Sequence, residues 1–339
     1  MSTLAQIGHG LAGEQGTLGI YAAVQRLFVA FGCFALPGSL LIDAPFGRFG
    51  SWGKRLTVNG NLGWFLMELA APVTFLYSLS VPLSASPCQH LPPFSPTRIL
   101  GALTALPPGR QLLAAAFLLH YLNRAVLGSL RNPGRAPMHL VIPILSALFN
   151  VANGGTIGAW LAAGASPAAG SSFIGLRTGG RAGLFGAGVA LWAVGFAGNI
   201  YHDEILYDLK RAKQRAVTSQ HAKRDAGAAA APSPRERYSI PTRGLYKLVS
   251  HPSYLCEWVE WAGFWLASLQ LARAPIAAPA AGGLHPLSEW YLEPPALFLL
   301  QEVAAMLPRA LSGHAWYRRT FGRDWDEKGA RWAVIPWVC

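Results

Sequence analysis

The feature that most constrains this chain is a series of apolar stretches, nearly free of charge, at roughly 18–42, 62–83, 111–130, 138–163, 182–209, 253–274 and 294–313. About 20 residues of α-helix cross a hydrocarbon core ~30 Å thick. In lipid every backbone N–H and C=O has to be paired within its own segment, which a helix achieves and an isolated strand does not. The expected fold is therefore all-α: a polytopic membrane protein with about seven transmembrane helices. The last stretch is the weakest, with Pro295, Glu302, Pro308 and Arg309 in or near it. Composition agrees, since 13% of the 339 residues are charged and 52% are hydrophobic, against about 25% charged in soluble globular chains.

The formal net charge is +12. In a soluble chain that balance suggests nucleic acid; here it follows membrane topology. One alternating set of loops holds Arg48, Lys54 and Arg55, then Arg131 and Arg135, then ten cations from Lys210 to Lys247, then five from Arg318 to Arg331. These twenty face only Arg98, Arg110, Arg177 and Arg181 in the other set, and omitting the long loop still leaves ten against four. Basic loops stay in the cytosol. The N-terminus is thus expected on the lumenal or outer side and the C-terminus in the cytosol, with no nucleic-acid partner. The stretch 212–236, AKQRAVTSQHAKRDAGAAAAPSPRE, reads as a flexible cytosolic insertion in one membrane-embedded domain covering 1–339. The four cysteines form no CxxC pair, and no zinc, Walker or GxGxxG pattern appears, so no metal and no Rossmann fold are expected. The first residues lack the basic n-region of a secretory signal.

Ionisable groups inside a span cost roughly 2.5–3.5 kcal/mol on insertion scales, so each needs a reason. Glu68 lies about six residues into the second span, roughly 9 Å deep, and Tyr121 about nine residues into the third, roughly 13 Å. Either they form a structural interhelical bond, or they mark a site at one depth. Tyr121 and Arg124 are spaced i, i+3 and share a helix face. Asn132 and Arg135 follow in the cytosolic turn RNPGR, where snorkelling to headgroups is the other reading for the arginines. Asn199, Asp203, Leu206 and Lys210 form one stripe at the cytosolic end of the fifth span, and Tyr254, Glu257, Glu260 and Trp261 recur at helical spacing in the sixth. These stripes outline a polar pocket open to the cytosol and suited to a charged ligand.

The residues resemble the steroid 5α-reductase family. The resemblance is carried by FGRFGS at 46–51, WFLMEL at 64–69, HYLNR at 120–124, NPGR at 132–135 and FNVANG at 149–154. It continues through GNIYHDEIL at 198–206, YSIPTRGLYKLVSHPSYLCEWVEWAGF at 238–264, WYRRTF in the tail and ARWAVIPW at 330–337. It implies a seven-helix reductase using NADPH, in the endoplasmic reticulum membrane in eukaryotes, acting as a monomer on a steroid-like lipid that enters from the bilayer. On matching positions it implies that Glu68 and Tyr121 contact the substrate carbonyl beside Trp64. Asn132, Arg135, Asn199, Asp203, Tyr238, Glu257 and Tyr317 match the cofactor set, to which Arg124 and Lys210 are added as cofactor-binding residues; Arg331 also falls in a matching motif. Lys210 stands where the family often has Arg, Ser253 where some members have Asn, and Gly313 in a stretch that is His-rich in the family, leaving only His314 here. A lysine still offers a phosphate a point charge, without the bidentate fork of arginine.

The implied chemistry places hydride on the β carbon of an enone and charge on the carbonyl oxygen. That oxygen needs preorganised donors in a dry site. Tyr121 offers a phenol proton, and a Glu68 kept neutral by apolar surroundings would be a second donor. Three other readings stay open from the residues alone: a related reductase acting on a polyprenal or long-chain enoyl-CoA, a methyltransferase using S-adenosylmethionine, and a channel or carrier lined by the buried polar groups.

Overall fold

The structure, a computed structural model, describes residues 16–41, 56–83, 91–163, 176, 181–221, 235, 238–271 and 293–339. The motif at 46–51 and the cations Arg48, Lys54 and Arg55 lie outside them. The described chain is built from α1 (Gly16–Leu41), the two-residue strand β1 (Thr57–Val58), α2 (Gly60–Leu79), α3 (Pro96–Ala105), α4 (Pro108–Arg131), β2 (Met138–His139), α5 (Val141–Ala163), α6 (Ala182–His221), α7 (Pro252–Ser268), α8 (Pro294–Phe321) and α9 (Arg323–Lys328). Strands β1 and β2 pair antiparallel, Thr57 with His139 and Val58 with Met138, and tie together the segments that precede α2 and α5.

Among the described residues, five helices are long and apolar enough to cross a membrane: α1, α2, α4, α5 and α6. This is an all-α integral membrane protein. The sixth and seventh apolar stretches are helices too, but α7 has 17 residues and α8 carries polar groups along its 28. The fifth stretch, read as ending near 209, continues as α6 to His221, so the first ten residues of the expected insertion prolong this helix. Residues 222–234 and 236 fall outside the described ones. Helix α3 lies between the second and third apolar stretches; Ser95 caps it by accepting from Arg98 N, and Pro96 takes its first position.

Two helix pairs form the frame, and glycines set their distance. A Cβ at Gly154 of α5 would stand 2.1 Å from Ala71 O of α2, and one at Gly158 would stand 2.4 Å from Phe75 O. In the α6–α7 pair, a Cβ at Gly188 would lie 2.5 Å from Ala267 N, at Gly195 2.3 Å from Glu260 N, and at Gly263 2.3 Å from Trp192 N. Small residues allow such backbone approach where lipid supplies no hydrophobic drive for helix association. Between the pairs runs α4, whose Phe117 stacks on Phe75 of α2 and meets Trp261 of α7 edge-on. The aromatic core continues through Phe264 and Phe298, which both contact Trp261.

Within α4, residues Leu122–Leu127 form a π-helical turn. It begins at the residue after Tyr121, and such turns occur frequently at functional sites.

Candidate active site

Asn59 caps α2, its Oδ1 accepting from the N–H groups of Asn61 and Leu62 at 3.0 and 3.1 Å. This fixed start puts Trp64 and Glu68 on one face, a turn apart. The loop after α4 lies hard against the same start: a Cβ at Gly60 would meet Ala136 O at 2.3 Å. That closeness brings the Arg135 guanidinium over the Trp64 ring, 4.5 Å from its centroid, while Arg135 Nη1 donates to Asn61 Oδ1 at 3.3 Å. Burial holds the Arg135 guanidinium below its ordinary pKa, a shift opposed by Tyr207 and Asp203.

Arg124 joins the two helix pairs. Its Nε donates to Glu68 Oε1 at 3.2 Å and its Nη1 to Glu257 Oε2 at 2.9 Å. The Trp64 indole donates to the Arg124 carbonyl at 3.3 Å. Glu68 therefore does not stand alone among apolar groups, as the sequence reading supposes; a permanent cation sits against it. Tyr121, 2% exposed, lies on the far side of an amide bridge. Its hydroxyl donates to Asn150 Oδ1 at 3.2 Å, and Asn150 Nδ2 lies 3.5 Å from Glu68 Oε2. The expected pair is thus brought together through Asn150 and not by direct contact.

Across the seam, Asn199 Nδ2 donates to Glu257 Oε2 at 3.2 Å and to Ser253 O at 3.1 Å. Ser253 Oγ in turn donates to Asp203 Oδ1 at 2.8 Å. Lys210 Nζ approaches Asn132 Oδ1 and Gly134 O, each at 3.4 Å, which closes the loop after α4 onto α6. A pocket of about 130 Å³ between α6, α7 and α8 is lined by Asp203, Ser253, Tyr254, Arg309 and Tyr317, among others. Tyr317 stacks on Trp325 with centroids 4.7 Å apart. Tyr238 packs instead on Trp316, in the cluster behind that pocket, and Arg331 lies over the Trp332 ring.

The structure adds polar groups that the sequence reading did not single out for a role. His120 Nδ1 is 2.7 Å from Glu260 Oε1, and its Nε2 is 3.9 Å from Glu257 Oε1. Asn153 donates to the Tyr121 hydroxyl at 2.9 Å. Two amides three residues apart in the otherwise apolar span 138–163 were the available signal for Asn150 and Asn153.

The comparisons with known proteins bear on the same residues. A family model described as 3-oxo-5-alpha-steroid 4-dehydrogenase matches residues 229–276, which hold Ser253, Glu257 and Glu260. An uncharacterized protein of Schizosaccharomyces pombe is 34% identical over 323 residues, 94% of this chain and 99% of its own. The 3-oxo-5-alpha-steroid 4-dehydrogenase 1 of Rattus norvegicus is 28% identical over 92% of each chain. The steroid 5-alpha-reductase of Arabidopsis thaliana is 25% identical over 88% of each. With a relative at this level of identity along almost its whole length, and the family model seated on α7, the chain belongs to the 3-oxo-5-alpha-steroid 4-dehydrogenase family.

Proposed function

We propose that this protein uses NADPH to reduce a carbon–carbon double bond conjugated to a carbonyl in a steroid-like lipid, the 3-oxo-Δ4 type being the first substrate class to test. The observation that carries the reading is the buried group Tyr121–Asn150–Glu68, which holds a phenol and a carboxyl within reach of one small amide. The names of the rat and Arabidopsis relatives agree with the reaction class.

The donor set fits a nicotinamide dinucleotide. Arg135 and Lys210 offer cationic groups to phosphates, Asp203 an acceptor to ribose hydroxyls, and Tyr317 an aromatic face; Asn132, Asn199 and Glu257 are the other expected contacts that stand here, while Tyr238 packs on Trp316. NADPH, when bound, supplies hydride. The chain's own side chains have the other tasks. Charge that accumulates on the substrate carbonyl oxygen is met by the Tyr121 O–H, with Glu68, held by Arg124, linked to that phenol through Asn150. Arg124 holds Glu68 and Glu257 in register across the two helix pairs.

The test is turnover of a 3-oxo-Δ4 steroid by the purified protein with NADPH and, separately, NADH. A second phosphate-binding cation beside Arg135 favours NADPH, so comparable kcat/KM for both cofactors would count against the assignment. Tyr121→Phe is expected to lower kcat on the order of 100-fold with NADPH affinity kept, the usual scale for losing one such donor. Glu68→Gln, which retains an N–H donor, should keep more activity than Glu68→Ala. A fully active Tyr121→Phe enzyme sinks the proton-donor role.

A further inference from the structure

Asn150 and Asn153 of α5 both bond the hydroxyl of Tyr121, and hydrogen-bond accounting fixes which atom does what. Asn150 Nδ2 donates to Met67 O at 2.8 Å, which turns its Oδ1 toward the phenol, 3.2 Å away. The phenol has a single proton, and Asn150 Oδ1 accepts it. Asn153, 2.9 Å from the same phenol oxygen, must then be the donor through Nδ2. Turned over, its carbonyl would oppose a lone pair.

This orientation has a cost. Asn153 is 0% exposed, and its Oδ1 has no hydrogen-bond partner. An unpaired buried acceptor costs about 1–3 kcal/mol, and a fold that keeps one calls for a reason. A Leu at 153 would remove that cost, yet it would also remove the one donor directed at the Tyr121 oxygen.

We infer that Asn153 is a positioning residue for Tyr121: its N–H holds the phenol oxygen and stabilises the charge that grows there as Tyr121 shares its proton with the substrate oxygen. Asn150 Oδ1 is the resting acceptor of that proton, displaced when a carbonyl arrives. The inference rests on the reading of Tyr121 as proton donor given above. It adds that the donor's strength is set from α5, by a residue that never touches substrate.

The experiment is a double-mutant cycle on the full-length protein in detergent, with NADPH and a 3-oxo-Δ4 steroid. Asn153→Leu is expected to lower kcat on the order of 10-fold or more, to leave the KM for NADPH within about twofold, and to enlarge the solvent isotope effect on kcat. In the Tyr121→Phe background the same substitution should cause no further loss, because the oxygen it serves is gone. Asn153→Ala, which also lacks the amide donor and adds no bulk, carries the same test if the Leu variant does not fold. An active Asn153→Leu or Asn153→Ala enzyme overturns the inference. So does an equal loss in both backgrounds, which would mean Asn153 acts on something other than the phenol. In either case a crippled Tyr121→Phe leaves the proposed function standing; a fully active Tyr121→Phe removes both.

Discussion

The α2–α5 pair and the α6–α7 pair are closed by the same device and carry different chemistry. In each, glycines let one backbone rest on another at a distance no side chain would allow. The first pair then presents one carboxyl and two amides: Glu68, Asn150 and Asn153. The second presents Asn199, Asp203, Ser253, Glu257 and Glu260, and draws Lys210 toward the loop after α4. On the proposed function, the first side meets a neutral lipid carbonyl and the second a charged cofactor. Arg124 stands between them and bonds one carboxylate from each. Packing fixes where groups stand in both pairs, and the polar residues threaded through it differ from one pair to the other.

The strongest way to break the comparison is to fill a glycine contact in each pair. Gly154→Leu and Gly195→Leu would each drive a side chain into a facing backbone, 2.1 Å from Ala71 O and 2.3 Å from Glu260 N respectively. Overpacking costs about 1–3 kcal/mol where side chains can yield and more where, as here, a backbone must. Both variants should lose the monodisperse peak on size exclusion in detergent; survival of only one would show that the two pairs are not equivalent supports. Next in size is Arg124→Met, which leaves Glu68 and Glu257 buried without their shared cation. Removing one partner of a buried ion pair costs about 3–5 kcal/mol, so the melting temperature should fall sharply. Adding Glu68→Gln should recover part of that fall.

A smaller effect sharpens the division of labour. Lys210→Ala should raise the KM for NADPH by about tenfold, the order of one charge-assisted contact, with kcat and the steroid KM kept. Lys210→Arg should restore it. A matching rise in the steroid KM would put cofactor and lipid on the same side of the seam. The smallest effect belongs to Arg235→Ala. Its ion pair with Asp324 measures 2.6 Å, but both side chains are more than half exposed, and such pairs contribute about 0–1 kcal/mol. A melting temperature unchanged within error would set it apart from Arg124, whose pairs are of similar length but buried.

Much of this was legible in the sequence. The apolar stretches give the helices, because length and missing charge are physical requirements of a lipid environment. Glu68, Tyr121, Arg124, Glu257 and Asp203 stood out because each costs energy where it lies. What was not legible has specific causes. The end of α6 was read near 209 because apolarity stops there, yet the charged run that follows is rich in helix-forming Ala, Lys, Arg and Gln and carries the helix to His221. Asn150 and Asn153 carry no comparable signal as functional groups, because a neutral amide is cheaper to bury than an ionisable side chain. That Asn150 would separate Tyr121 from Glu68, and that Arg124 would reach Glu68 and Glu257 at once, depends on helix rotation that no single-chain pattern fixes.

That rotation has a local origin in α4. Gly128 N, which in an α-helix would bond Arg124 O, bonds Asn123 O five residues back. The Arg124 carbonyl is instead met by the Trp64 indole. One surplus residue per turn is worth about 100° of azimuth, so α4 runs in two phases. Above the turn it presents Phe117, His120 and Tyr121 to the core; below it, it delivers Arg131 to Glu204 of α6. Deleting a single residue between 122 and 127 would give a smoother and locally more regular helix, and would turn one half of it away from its partners. Regularity and usefulness oppose each other along this span, and the irregular form is the one the chain keeps.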